Sequence, residues 1–123
     1  QERVAAFGEA VGVAFQIFDD ILDLVGAPAH TGKARGTDLR GGTVTLPVIL
    51  ALRVEPGLAA ELRAGCDAEA LCERLTSHPG TALARERALA FVASARASLD
   101  GPLDGADAEA LLEIADGVVD RFG

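Results

Sequence analysis

Apolar residues recur at helical spacing along most of the chain. The first such pattern predicts a helix over residues 2–25, because it stops at Gly26 and Pro28. Residues 26–43 contain five glycines and no apolar periodicity, which predicts a loop. The later patterns predict helices at 45–54, 58–64, 68–77, 81–99 and 108–122. The chain is therefore predicted to be all-α.

Several polar and proline residues mark the predicted helix ends. Asp67, Thr81 and Asp107 stand where N-cap residues are expected. Pro47 lies in a predicted first turn, where proline is well tolerated. Pro79-Gly80 is expected to break the chain before a helix that starts at Thr81.

Three acids interrupt the apolar pattern of the first helix, in the stretch FQIFDDILD at residues 15–23. At about 100° per residue, one side of this helix carries small and polar residues within about 40° of a common line: Gly8, Gly12, Gln16, Asp19 and Asp23. The opposite side carries branched aliphatic residues: Val13, Ile17, Ile21 and Leu24. Asp20 lies on the flank, about 100° around from Asp19. The acids are thus expected to face one place together.

Two carboxylates one helical turn apart repel each other, because their Cβ atoms are about 5–6 Å apart. At an effective dielectric constant near 20 this repulsion is on the order of 3 kcal/mol. Water and salt, a shared proton or a divalent cation could offset it. Oxygen ligands select Mg²⁺, Mn²⁺ or Ca²⁺, and Mg²⁺ commonly completes its coordination with water and substrate phosphate. A solvated helix face and a metal site with a phosphate-bearing substrate therefore both remain open.

The predicted loop that follows concentrates positive charge in an otherwise acidic chain. Its segment TGKARGTDLRGG, residues 31–42, contains Lys33, Arg35 and Arg40 among glycines. These cations could fold toward phosphates, and Asp38 could support the metal from beyond its direct ligands. Alternatively, they only balance the acidic helix. The segment is not a phosphate-binding P-loop, because Ala34 stands where that motif needs serine or threonine.

Composition excludes several classes of function. The chain has 123 residues, half of them hydrophobic, and a net charge of −8, which argues against nucleic acid as a partner. No apolar run reaches about 18 residues without an acid or a glycine, so no membrane span is predicted. Cys66 and Cys72 lack the partners of a zinc site, and two thiols in a chain of this size favour a cytoplasmic protein, so both are interpreted as small core residues. His30 and His78 lack the spacing of metal ligands and are interpreted as ordinary loop and helix-end residues.

FQIFDDILD followed by TGKARGTDLRGGTVTLP resembles the second aspartate-rich region of the trans-isoprenyl (polyprenyl) diphosphate synthases. The family pattern is F-Q-x-x-D-D-x-x-D, then G-K-x-x-G-x-D-L-x-x-G-K-x-T-L-P. Terpene cyclases share the DDxxD element alone, but they need a later metal triad with asparagine, and this chain has no asparagine. The resemblance continues to the closing IADGVVDRFG and covers the last two fifths of such an enzyme.

The resemblance implies an all-α helical bundle of the isoprenoid synthase type, of which this chain is the C-terminal portion, and pairing of two chains as a homodimer. It also implies a Mg²⁺-dependent prenyltransferase, with Mn²⁺ as a possible substitute, that condenses an allylic diphosphate with isopentenyl diphosphate. The matching positions are given metal-binding, catalytic or substrate-binding roles: Asp19, Asp20, Asp23 and Asp38 toward the metal, Asp19 and Lys33 in catalysis, and Gln16, Lys33 and Arg40 toward substrate.

Two departures from the family pattern bear on this expectation. Thr43 replaces a lysine that contacts phosphate in the family, which leaves Arg40 as its neighbouring substitute, and Ala27 stands where aspartate is common. The first aspartate motif, the isopentenyl diphosphate site and the residues that limit product length lie upstream in the family, so the 123 residues alone are not expected to turn over substrate. A non-catalytic helical partner subunit of a synthase is the alternative.

Overall fold

The computed structural model describes residues 2–25, 44–65, 67–99 and 105–122. These ranges contain six helices: α1 (Glu2–Val25), α2 (Leu46–Val54), α3 (Leu58–Arg63), α4 (Ala68–Thr76), α5 (Pro79–Ser98) and α6 (Gly105–Phe122). The described residues contain no β-strand, so the predicted all-α class is confirmed. The predicted loop 26–43, with Lys33, Asp38, Arg40 and Thr43, lies outside the described residues, as does Cys66.

The chain forms two compact units. One comprises Gln1–Phe18 and Glu86–Gly123, and the other comprises Asp19–Arg85. Helices α1 and α5 each contribute residues to both units. The three acids of α1 belong to the second unit.

The buried residues of α1 and α5 in the first unit follow helical spacing. On α1 they are Phe7, Ala14, Ile17 and Phe18, and on α5 and just beyond it they are Ala88, Val92, Ala95 and Leu99. This spacing is that of one helix face, and the alanines present only a small side chain there. An ion pair between exposed Arg96 of α5 and Asp116 of α6 joins these two helices within the unit.

The second unit is built around one apolar cluster to which four helices contribute: Leu24, Val48, Ala51, Leu58, Leu71, Cys72 and Leu75. Burying a leucine side chain of this kind stabilises a fold by about 1.5–3 kcal/mol. Cys72 is a fully buried free thiol, which confirms its interpretation as a small core residue.

Local signals explain where the short helices begin and end. Asp67 caps α4, because its side chain accepts a hydrogen bond of 3.1 Å from the Ala70 amide, as predicted. Gly65 follows α3 with a φ of 79°, a left-handed conformation that glycine adopts without steric cost. Thr45 precedes α2, and Pro47 occupies the first turn as expected.

The start of α5 differs from the prediction. The helix begins at Pro79, and His78 supplies the cap that was expected from Thr81. The His78 carbonyl accepts the amide hydrogens of Thr81 and Ala82 at 3.1 and 3.3 Å, and its ring Nδ1 accepts that of Gly80 at 3.0 Å. Proline has no amide hydrogen to satisfy at this position, so Pro79 opens the helix instead of breaking it.

Gly80 lies directly against the backbone of α2. A Cβ atom added at Gly80 would stand 2.4 Å from the Ala51 nitrogen and 2.9 Å from the Leu50 carbonyl carbon. Such a close approach leaves room for glycine only. The first turn of α5 is thereby fixed on α2 within the second unit.

Candidate functional site

Most of the described residues on the acid-bearing side of α1 are exposed. Gln16 and Asp19 are exposed, Asp20 is half-buried, and Asp23 is buried with only 6% of its surface accessible. Gly8 and Gly12 of the same side are exposed, and an added Cβ would meet no described atom within 4 Å. The three acids therefore lie in three different environments, although they share one helix.

The opposite side of α1 anchors the helix. Ile17, Ile21 and Leu24 are buried, as their position in the helical pattern predicted. Val13 is 36% exposed, so the apolar side of α1 is less completely covered toward its N-terminal half than the sequence indicated. Burial of the C-terminal half holds the backbone that carries the acids in a fixed position.

The exposed end of the acid series is suited to a hard cation. Asp19 is an exposed carboxylate, and Asp20 follows it directly in the chain. Such oxygen ligands fit Mg²⁺ or Mn²⁺, which retain water molecules and bind phosphate oxygens in addition to protein ligands. Among the described residues alone, no group of three or more candidate ligands converges on one point. Gln16 is placed on the open side of the same helix, and the predicted contributions of Lys33, Asp38 and Arg40 lie outside the described residues.

A polar network near the start of α5 was not predicted from the sequence. Glu55, at the end of α2, accepts hydrogen bonds from Arg74 at 2.9 Å and from His78 Nε2 at 3.0 Å. Because His78 Nδ1 accepts the Gly80 amide, the ring proton lies on Nε2 and is donated to Glu55. Arg74 also donates to both carboxylate oxygens of Glu61 at 2.8 Å. The network links α2, α3, α4 and the start of α5 within one unit.

The sequence signal for this network was weak, because it consisted of a polar residue directly before a Pro-Gly pair, Glu55 in one case and His78 in the other. These two residues lie 23 positions apart, beyond the reach of helical spacing rules. His78 is thus a structural residue at a helix end, with both ring nitrogens engaged.

None of the described helices combines the length and hydropathy that a membrane span requires.

A family model described as "Polyprenyl synthetase" matches residues 1–76. The match includes α1, the segment 26–43 and helices α2 to α4, so it contains every predicted site residue.

The chain is similar to known proteins over nearly all of its length. A nonaprenyl diphosphate synthase of Mycobacterium tuberculosis is 39% identical over an alignment 131 residues long, which covers 99% of this chain and 39% of that protein. A heptaprenyl diphosphate synthase component 2 of Geobacillus stearothermophilus is 50% identical over 62 residues, covering 48% of this chain and 19% of that protein. The crystal structure of a decaprenyl diphosphate synthase from Rhodobacter capsulatus superimposes with a TM-score of 0.82 at 32% identity, covering 99% of this chain and 40% of that one. The chain spans about two fifths of the length of the first relative and of this structure.

Proposed function

The chain belongs to the polyprenyl synthetase family, and from this premise we propose that it forms part of a prenyltransferase that condenses an allylic diphosphate with isopentenyl diphosphate to give a longer polyprenyl diphosphate. The observation that carries the proposal is the family match over residues 1–76, combined with the exposure of Asp19 on α1. Synthases of long prenyl diphosphates among the relatives support the same reaction class.

The graded burial of the acids suggests different roles for them. Asp19, the exposed acid, is the one best placed to bind Mg²⁺ directly and leave room for substrate phosphate. Asp20, half-buried beside it, would contribute from the flank. Asp23 is held inside the second unit, so it would act mainly by fixing the position of the metal-binding turn.

Bound Mg²⁺ would supply positive charge to the diphosphate that leaves the allylic substrate. The residues of this chain would hold and orient that group. Lys33 and Arg40 would add positive charge from the glycine-rich segment, Asp38 would accept a hydrogen bond from metal-bound water, and Gln16 would lie near the reacting carbon atoms. The paired chains implied by the resemblance remain a prediction.

The direct test uses the full-length protein with labelled isopentenyl diphosphate and an allylic diphosphate, with and without Mg²⁺. We expect Asp19→Asn to lower kcat at least about 100-fold, because it removes charge stabilisation in the transition state. Glu9→Gln is the matched control, since Glu9 is an exposed acid on the same helix and the charge change is identical. Full activity in Asp19→Asn, or activity that chelators do not reduce, would contradict the proposed role.

A non-catalytic partner subunit is the second candidate, for two reasons. Thr43 replaces a family lysine, and the name of one relative describes it as a component of a synthase. The two functions are separated by measuring Mg²⁺-dependent diphosphate binding to the full-length protein. An enzyme should lose this binding in Asp19→Asn and in Lys33→Ala, whereas a partner subunit should show none and should instead raise the activity of a synthase mixed with it.

A further inference from the structure

A pocket of about 350 Å³ lies at the start of α5, within the second unit. Its described walls include Val25 at the end of α1, Ser77 before the helix, and Thr81, Ala82 and Arg85 on the first two turns of α5. Its volume is at the low end of the range for small-molecule sites, which is about 300–1,000 Å³. The pocket is therefore large enough for a small ligand.

The described walls of this pocket are rich in donors and contain no carboxylate. Arg85 contributes a positive charge and Ser77 a hydroxyl group, and Thr81 is a wall residue whose own hydroxyl is buried. The imidazole of His78 also lines the pocket, but Glu55 and the Gly80 amide occupy its two nitrogens. The N-terminus of α5, the positive end of its helix dipole, adds to the positive electrostatic potential of the pocket. These features favour a negatively charged ligand, in a chain whose net charge is −8.

The hydroxyl of Thr81 gives an independent indication. Thr81 is only 5% exposed, and its buried Oγ1 has no hydrogen-bond partner within the described part of the chain. A buried hydroxyl without a partner destabilises the folded state, because it has lost its hydrogen bonds to water. By contrast, the hydroxyl of Thr76, which also borders the pocket, donates to the Cys72 carbonyl at 2.8 Å. The Thr81 oxygen itself has almost no accessible surface, so a change of its χ1 rotamer would be needed to bring the hydroxyl to an acceptor in the pocket and recover the lost interaction.

We propose that this pocket binds a phosphate-type oxyanion, held by Arg85, Thr81 and Ser77. The proposal does not depend on the prenyltransferase function, because none of these residues belongs to the acid series of α1. Inorganic phosphate and inorganic diphosphate share the required chemistry, and the experiment distinguishes them.

Calorimetric titration of the full-length protein with each anion tests the proposal. The titration is done without divalent metal and in an Asp19→Asn background, so that the metal site of α1 does not contribute. We expect saturable binding of at least one anion. Thr81→Val should weaken it about tenfold, because a hydrogen bond to a charged group is lost, and Arg85→Gln should weaken it further. Arg87→Gln is the control, since Arg87 is exposed and does not line this pocket.

A second measurement separates binding from folding. The bound anion should raise the unfolding temperature of the parent protein, because a ligand that binds only the native state stabilises it. It should have a weaker effect on Thr81→Val, and Thr81→Ser, which keeps the hydroxyl, should behave like the parent. Absence of saturable binding at millimolar anion, or equal affinity in the parent and Thr81→Val, would overturn the proposal.

Discussion

Replacing Gly80 by alanine tests the contact between the first turn of α5 and the backbone of α2. The added Cβ would stand 2.4 Å from the Ala51 nitrogen, 2.5 Å from the Ala51 Cα and 2.9 Å from the Leu50 carbonyl carbon. Favourable carbon contacts lie at about 3.5–4.0 Å, so the two helices would have to separate by about 1 Å. Because the three atoms are backbone atoms, no side-chain rotation can relieve the clash.

The expected loss of stability follows from three terms. Overpacking of a close contact costs about 1–3 kcal/mol. Separation of the helices would also stretch the hydrogen bond of 3.0 Å between His78 and Glu55, which contributes about 0.5–1.5 kcal/mol. Alanine is preferred to glycine in a helix by up to about 1 kcal/mol, and this gain partly offsets the loss. We therefore expect Gly80→Ala to lower the free energy of unfolding by about 2 kcal/mol.

Urea unfolding of the full-length protein, followed by circular dichroism, measures this change. The midpoint should fall while the slope stays the same. Gly117→Ala is the matched control, because Gly117 lies within α6 and an added Cβ meets no described atom within 4 Å. The control should be at least as stable as the parent. If Gly80→Ala were equally stable, the proposed close approach of the two backbones would be refuted.

Two further predictions concern the polar contacts of the helices. His78→Ala should lower the free energy of unfolding by about 1–3 kcal/mol, because it removes the hydrogen bonds to Glu55 and to the Gly80 amide. His78→Asn, which keeps an acceptor for that amide, should recover part of the loss in the same urea experiment, and equal effects of both substitutions would argue against the cap. Arg96→Gln should change the free energy of unfolding by less than about 1 kcal/mol, since Arg96 and Asp116 are both about half exposed. A larger effect, or one that persists at high salt, would show that this pair is more strongly coupled than its exposure indicates.

Sequence reasoning succeeded where the cause of a structure is local. The span of α1 follows from its apolar periodicity and its proline stop, and the cap at Asp67 follows from the residue type and its place before a helix. The start of α5 could not be derived in this way. The Pro79-Gly80 pair is a common chain breaker, and its role as a helix start depends on His78 and on the backbone of α2, which is distant in sequence.

In the candidate site, too, the features with a local cause could be predicted and those that depend on distant contacts could not. Helical spacing predicted that Gln16 and Asp19 share one side of α1, because that arrangement depends on a single helix, and both residues are exposed there. It could not predict that Asp23 is buried and Val13 partly exposed, since burial depends on which other segments cover each turn. The fold class could thus be predicted from periodicity, whereas the environment of each acid required three-dimensional packing.

The two long helices that cross between the compact units limit how this polypeptide can be divided. The division after Phe18 falls inside α1, and the division after Arg85 falls inside α5. Natural domain boundaries usually fall in exposed linkers, where few interactions are cut. A recombinant fragment that ends at either position would expose a severed helix with unsatisfied carbonyl groups. Split-protein reporters, domain insertions and circular permutants should therefore be designed at the connections between helices and not at the borders of the two units.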